Sequence, residues 1–350
     1  MDASLFLAVS FTIVFIVAFF YKKKNKRGKT PEINRIYTEA LNSMVRGNKR
    51  KSISLLKEVV KIDSDHVPAY LQLGNIIREE NPEHALKIHQ SLTVRPNLPI
   101  ELRVDIHKAL AIDYKNVKQM GKSKIEIEKI LIIEKRNLWA LSFLVDLSEL
   151  DKEWDKAALY SKQLQKITGK IDNSSLAQFE VYKGLEKLEE GLLKEAKPFF
   201  LKAIKISPKF PLSYFYLGNL YEQTRDLVKA VENWELYAVN NLKNSFKVFT
   251  KIESALFDLG RYSEVENFYK RILEINDENL HAIIRLANVL DEKGERIEAI
   301  ALLDTFLIDK NGDIRTDLMK LKLLVPTSTP IELTQKIDVI LEKTLSAKLE

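Results

Sequence analysis

The stretch YKGLEKLEEGLLKEAKPFFLKAIKISP, residues Tyr182–Pro208, and the stretch YLGNLYEQTRDLVKAVENWELYA, residues Tyr216–Ala238, follow one pattern. The glycines Gly184 and Gly218 are 34 residues apart, and in each copy an aromatic residue follows the glycine by 16 positions. A fixed period of about 20 to 50 residues is typical of stacked supersecondary units. The chain is therefore expected to be built from repeats of 34 residues.

The spacing within each copy predicts two antiparallel α-helices. Apolar residues recur at i, i+3, i+4 and i+7 in both halves, as they do in helices with one buried face. The small residues Gly218 and Ala230 would let the two helices approach closely, and the bulky Trp234 would fill the groove beside them. The arrangement resembles the L-G-x2-Y…A-x3-F…P pattern of the tetratricopeptide repeat. Its best matches are Leu217-Gly218-x-x-Tyr221 and Ala196-x3-Phe200-x2-Ala203-x4-Pro208.

Weaker copies of the pattern extend through most of the chain. They predict an all-α fold, with a tetratricopeptide-repeat superhelix (an α-solenoid) at residues 33–313 and capping helices at 314–350. Thr329-Pro330-Ile331-Glu332 has the form of a capping box with proline at the first helical position. An ordinary helical bundle with coincidental spacing is the alternative. The eight expected pairs are 33–66, 67–99, 104–137, 138–171, 177–210, 211–244, 246–279 and 280–313.

Composition excludes several classes of protein. The 350 residues contain 11 Gly, 10 Pro and no Cys. So few turn residues argue against an all-β sandwich or barrel. The absence of cysteine excludes disulfides, thiolate zinc sites, iron–sulfur clusters and a cysteine nucleophile. Nucleotide-binding, metalloprotease and nucleophile-elbow motifs are also missing, so we expect no enzymatic activity, no catalytic residue, no bound metal and no cofactor.

The histidines do not form a metal-binding pattern. His84 and His89 are five residues apart and therefore do not share a helix face. His89 occupies the bulky position of its repeat, so a packed and hydrogen-bonded histidine is expected there.

An apolar run at the N-terminus predicts a membrane anchor. Leu5–Tyr21 reads LFLAVSFTIVFIVAFFY, and extended to Ala3 it spans about 28 Å as a helix, enough to cross a hydrocarbon core. We expect an uncleaved, single-pass transmembrane helix at 1–21. A cleaved signal peptide would carry its positive charges before the apolar run, and a buried soluble helix is the remaining alternative.

A basic segment follows the apolar run, and residues 22–32 are interpreted as a juxtamembrane linker. Basic residues directly after a spanning helix predict that the repeats stay in the cytoplasm. The six membrane-proximal basic residues are Lys22, Lys23, Lys24, Lys26, Arg27 and Lys29.

The basic segment also accounts for the net charge of +6. Removing its six residues from the 55 Lys and Arg leaves 49, equal to the 49 Asp and Glu. The charge excess therefore predicts membrane orientation, and no nucleic-acid partner is expected.

The repeats themselves predict a protein-binding groove. Such arrays present the first helix of each unit along an inner surface, and the residues beside each key small residue should point there. Asparagine at these positions offers donor and acceptor groups to a peptide backbone, although solvated polar positions are the simpler interpretation, because polar outer faces are expected of any array. The candidate residues are Asn75, Arg78, Tyr216, Asn219, Glu222, Arg285, Asn288 and Asp291.

One segment carries a more specific resemblance. Residues 71–78, LQLGNIIR, followed by residues 85–92, ALKIHQSL, resemble the LGNLFR…A-I-x-I-H-Q-x-L segment of the lipopolysaccharide assembly protein B family. That family has an N-terminal anchor, a basic stretch and cytoplasmic tetratricopeptide repeats. The resemblance implies an adaptor that brings the lipid A deacetylase, as client enzyme, to a membrane-anchored AAA protease. The family normally ends in a rubredoxin-like metal domain with four cysteines, so the resemblance implies a relative that lacks this domain.

A second hypothesis uses the same scaffold for a different client. Only the segment from residue 71 to residue 92 distinguishes the two, and a generic tetratricopeptide assembly factor for a secretion, pilus or cell-division machine would share everything else. Neither the client nor the oligomeric state follows from the sequence.

Overall fold

The computed structural model describes residues 31–309 and 313–346, whose regular elements are eighteen α-helices and one 3₁₀ helix. The predicted all-α class is confirmed for this part of the chain. The chain divides after Gly169 into two compact units.

Unit 1 contains four helix pairs in which each helix packs against the next along the chain. The pairs coincide with the first four expected repeats. Their helices are α1 (31–45), α2 (Lys49–Ile62), α3 (Val67–Ile77), α4 (Pro82–Leu92), α5 (Ile100–Asn116), α6 (Met120–Ile133), α7 (Leu138–Leu150) and α8 (Trp154–Thr168).

Unit 2 contains five helix pairs, and a 3₁₀ helix, Leu242–Val248, precedes the third. One continuous core of buried side chains runs from Ala177 to Leu323. Its helices are α9 (Asn173–Glu189), α10 (Leu193–Ile206), α11 (Pro211–Gln223), α12 (Leu227–Asn240), α13 (Phe249–Asp258), α14 (Ser263–Ile275), α15 (Leu280–Lys293), α16 (Arg296–Asp309), α17 (Ile314–Leu324) and α18 (Pro330–Ser346).

The paired glycines and aromatics act as the sequence predicts. A Cβ added to Gly184 would lie 2.5 Å from Cε1 of Phe200, and one added to Gly218 would lie 2.5 Å from Cδ1 of Trp234. Phe200 and Trp234 are fully buried. The glycine in the first helix thus makes room for the ring carried by the second.

The C-terminal helices begin as expected and leave apolar surface exposed. The backbone N–H of Thr329 donates to Oε2 of Glu332 over 2.8 Å, and the N–H of Glu332 donates to Oγ1 of Thr329 over 3.4 Å, which completes the predicted capping box. Helix α17 packs on α15 and α16, and α18 packs on α17. On α18, the side chains of Ile337, Leu341 and Leu345 are exposed.

No helix within residues 31–309 or 313–346 is both long and apolar enough to span a membrane. The predicted anchor at 1–21 and the six basic residues of 22–29 lie outside the described residues.

Candidate partner-binding surface

Ion pairs and hydrogen bonds connect the first helices of four successive pairs in unit 2. Nζ of Lys251 on α13 lies 2.7 Å from Oε2 of Glu222 on α11. Nη1 of Arg285 on α15 lies 3.2 Å from Oε2 of Glu253 on α13. We call the connected surface the polar seam, and its members are Glu222, Lys251, Glu253, Arg285, Asn288 and Lys322.

Asn288 extends the polar seam to the last helix pair. Its Oδ1 accepts a hydrogen bond from Nζ of Lys322 on α17, and its Nδ2 donates to Oε1 of Glu292 over 2.7 Å. The structure therefore brings three of the candidate groove residues, Glu222, Arg285 and Asn288, onto one surface.

Glu253 is the most buried charge of the polar seam, with a side chain that is 14% exposed. The hydroxyl of Tyr269 donates to its Oε1 over 2.6 Å. Burial, and then the charge of Glu253, raises the pKa of the Tyr269 hydroxyl far above its ordinary value, so this hydroxyl stays a hydrogen-bond donor. Glu253 is therefore held in place from the core side.

The remaining candidates of unit 2 contact their own repeats. Oδ1 of Asn219 accepts a hydrogen bond from Nε1 of Trp234 over 3.1 Å. The ring of Tyr216 stacks on Phe200 with 6.0 Å between centroids. Asp291 pairs with Arg296 over 2.8 Å, across the turn between α15 and α16. These residues support the first helices, and their contact with a partner stays a prediction.

The two candidates of unit 1 belong to a buried network. Nε of Arg78 lies 2.5 Å from Oδ1 of Asp113, and Nη2 of Arg78 donates to Oδ1 of Asn75 over 2.7 Å. Nδ1 of His89 lies 2.5 Å from Oδ2 of Asp113. Asp113 and His89 are fully buried, which confirms the expectation of a packed histidine. We call Arg78, His89 and Asp113 the core triad.

Both ring nitrogens of His89 face acceptors. Nε2 lies 3.1 Å from the carbonyl oxygen of Leu71, and Nδ1 faces the Asp113 carboxylate that Arg78 also contacts. Carbonyl and carboxylate oxygens can only accept hydrogen bonds, so each ring nitrogen that carries hydrogen has an acceptor in reach. The core triad thus joins α3, α4 and α5 through a single buried carboxylate.

The sequence interpretation missed Asp113, Lys251 and Glu253. Lys251 stands at the same repeat position as Tyr216 and Arg285, so the repeat register could have identified it. Asp113 stands two residues after the small residue of its helix, a position that the tetratricopeptide pattern leaves open.

The chemistry of the polar seam suits reversible protein contacts. The pair of Lys251 and Glu222 is partly exposed, with side-chain exposures of 35% for Lys251 and 41% for Glu222, and such a pair contributes at most about 1 kcal/mol. A partner could therefore replace this pair at small cost, while the charge pattern gives specificity. Within the described residues, no cluster of three His, Asp or Glu side chains is placed to hold a metal ion.

Family models agree with the helical repeats of unit 2. Models of the tetratricopeptide repeat match residues 183–210, 199–232 and 256–320. Among solved structures, a tetratricopeptide repeat protein from Parabacteroides merdae has a TM-score of 0.38 and 11% identity, covering 88% of this chain and 98% of that chain.

Two bacterial relatives resemble the chain over most of its length. Lipopolysaccharide assembly protein B of Escherichia coli K12 is 21% identical over 272 residues, covering 77% of this chain and 70% of that protein. The protein of the same name from Haemophilus influenzae is 26% identical over 294 residues, covering 80% and 73%. Residues 183–232 and 256–320 are thus tetratricopeptide repeats, in a chain that is similar to lipopolysaccharide assembly protein B.

Proposed function

We propose that this chain is a non-enzymatic adaptor that regulates lipopolysaccharide assembly at the cytoplasmic face of a bacterial inner membrane. The observation that carries the proposal is the alignment to lipopolysaccharide assembly protein B over 77–80% of the chain. Tetratricopeptide repeats without a metal-ligand cluster in the described residues support a scaffold. In this proposal the client is the lipid A deacetylase, and the partner is a membrane-anchored AAA protease.

The polar seam is the proposed client site. Acids and bases alternate in it from Glu222 on α11 to Arg285 on α15, so a client segment with complementary charges would replace these intramolecular pairs one by one. The anchor at 1–21 and the basic residues of 22–29 would hold this surface near the membrane partner.

Affinity purification of the tagged full chain from its source bacterium, after cross-linking, tests the identity of the client. Recovery of the lipid A deacetylase or the membrane protease supports the proposal. Recovery of components of a secretion, pilus or cell-division machine instead would favour a generic assembly factor, since the same fold serves both.

A chain that begins at residue 30 tests the anchor. We expect it to stay folded and helical, because the core described above lies entirely after this point, and to lose function in cells. Full function of the shortened chain would contradict membrane anchoring.

Charge reversal tests the polar seam. Lys251→Glu should reduce recovery of the client. The double variant Glu222→Lys with Lys251→Glu has an ion pair again, with the two charges exchanged, but recovery of the client should stay low. Lys247→Glu, an exposed residue four positions earlier, makes the same charge change outside the seam and is the matched control. Normal recovery with the double variant would exclude this surface as the client site.

A further inference from the structure

A cavity of about 360 Å³ lies in unit 1, where the segment between α4 and α5 folds over the first turns of α5. No acidic side chain lines it. Its polar lining is Thr93, Arg95, Asn97, Arg103 and His107, and we call it the basic pocket. It belongs to unit 1, and the polar seam belongs to unit 2.

Two neighbours orient Arg95. Its Nη1 lies 3.0 Å from Oδ1 of Asp65, and its guanidinium carbon lies 5.9 Å from the centroid of the Tyr70 ring. The ion pair is weak, because the side chains of Arg95 and Asp65 are 32% and 64% exposed. It uses one nitrogen of the guanidinium, which has five N–H donors in a planar fork, so the other donors can bind a ligand.

Arg103 and His107 are one turn apart on α5 and therefore share a helix face. Nδ1 of His107 lies 2.7 Å from Oε2 of Glu126, and Glu126 also pairs with Lys129. Arg103 is exposed and, within the described residues, pairs with no carboxylate. Its charge is thus available to a ligand.

The acidic residues nearest to Arg103 on α5 lie away from the basic pocket. Glu101 and Asp105 are each two residues from Arg103, which places them on the opposite side of the helix.

Two acids contact the lining. Asp65 pairs with Arg95, and Glu126 pairs with His107. Within the described residues, the positive charge of the lining that no carboxylate balances is therefore that of Arg103.

We propose that the basic pocket binds a phosphate group. Two guanidinium groups match the geometry of a tetrahedral oxyanion, because each can donate two parallel hydrogen bonds. The basic pocket is larger than one phosphate group, so it can also hold part of the molecule to which the phosphate is attached. A soluble phosphorylated molecule and a lipid headgroup present the same chemistry to these side chains.

Titration calorimetry of the full chain in detergent tests this proposal, with inorganic phosphate as the probe and chloride at equal ionic strength as the blank. Arg103→Gln and Arg95→Gln should each weaken phosphate binding by about tenfold. Arg136→Gln removes an exposed arginine from the corresponding segment of the next repeat and should leave the affinity unchanged. Circular dichroism of each variant verifies that the fold is intact.

A second arm separates the two sources of phosphate. Vesicles of phosphatidylcholine with and without phosphatidate are compared for binding of the wild type and of Arg103→Gln. Arginine-dependent binding to phosphatidate assigns the pocket to lipid headgroups, and phosphate binding without it assigns the pocket to soluble ligands. Absence of phosphate binding, or equal binding by the wild type and Arg103→Gln, would overturn the proposal.

Discussion

Asp113 gives the LGN…IHQ segment a structural role in this chain. The LGN…IHQ segment contains Asn75, Arg78 and His89, and the side chains of Arg78 and His89 converge on this one buried carboxylate. The segment that carries the resemblance to lipopolysaccharide assembly protein B is therefore used to join the second and third repeats. It indicates shared architecture, and the identity of the client must be read from other residues.

Replacing Asp113 with Asn should destabilise unit 1 by about 3 to 5 kcal/mol, because it removes the buried carboxylate that the partly buried Arg78 and the buried His89 share. The free energy of unfolding in urea measures the loss. Asp105→Asn on the same helix breaks an exposed pair with Lys108 and should cost less than about 1 kcal/mol. Equal losses of unfolding free energy in the two variants would show that the core triad stabilises the fold no more than an exposed ion pair does.

Gly218→Ala should cost about 1 to 3 kcal/mol, because the added methyl group lies within 2.5 Å of the buried Trp234 ring and the helices must separate. Gly121→Ala is the control, since nothing lies within 4 Å of its added Cβ and alanine favours the helix. Thermal unfolding of both variants compares them. A stabilised Gly218→Ala variant would contradict the close approach of α11 and α12.

At the scale of the helix pair, the turns share one backbone conformation, with one exception. In seven of the first eight pairs, the turn between the two helices holds one residue with positive φ. The turn between α3 and α4 has none, and Gly74 and Ala85 are 11 residues apart where Gly218 and Ala230 are 12 apart. The one-residue deletion therefore removes the left-handed residue. The seven residues are Gly47, Lys118, Lys152, Gly191, Arg225, Gly260 and Gly294.

Glu266 makes the contact between α14 and α15 dependent on pH. Hydrogen bonds from Lys270 and Lys293 hold the pKa of its carboxyl below the usual value. A carboxyl group with a lowered pKa in the folded state stabilises the fold at pH values above its ordinary pKa of about 4.5. This stabilisation is lost as the pH falls through the lower pKa of the folded state.

Glu266→Gln should therefore reduce stability by about 1 kcal/mol at neutral pH, since both lysines are largely exposed and solvent weakens the pairs. Urea unfolding between pH 7 and pH 3 should show the variant and the wild type converging as the pH falls. A difference that stays constant over this range would mean that Glu266 contributes through packing alone.

For the whole molecule, the repeat register predicted the helices within each repeat. It did not predict the side-chain contacts between neighbouring repeats. The period of 34 residues placed all eight helix pairs, because each pair is decided by its own small and bulky positions. The core triad and the polar seam depend on long side chains that reach a neighbouring repeat, such as Lys251 to Glu222. Such contacts have no fixed spacing in the pattern, and the division at Gly169 has no compositional mark.

Repeat arrays distribute stability through contacts between neighbours, so a local defect should stay local. Asp113→Asn should accelerate hydrogen exchange of backbone amides in α3 to α6 and leave those of α11 to α16 near their wild-type rates. Gly218→Ala should do the reverse. Exchange followed by mass spectrometry measures both regions in one experiment, so each variant serves as the control for the other.

Uniform acceleration across the chain by either variant would contradict this prediction and indicate a single cooperative unit. Confinement to one unit would mean that the core triad and the polar seam can be varied independently. The polar seam of unit 2, the proposed client site, could then be altered while unit 1, with its LGN…IHQ segment, stays folded.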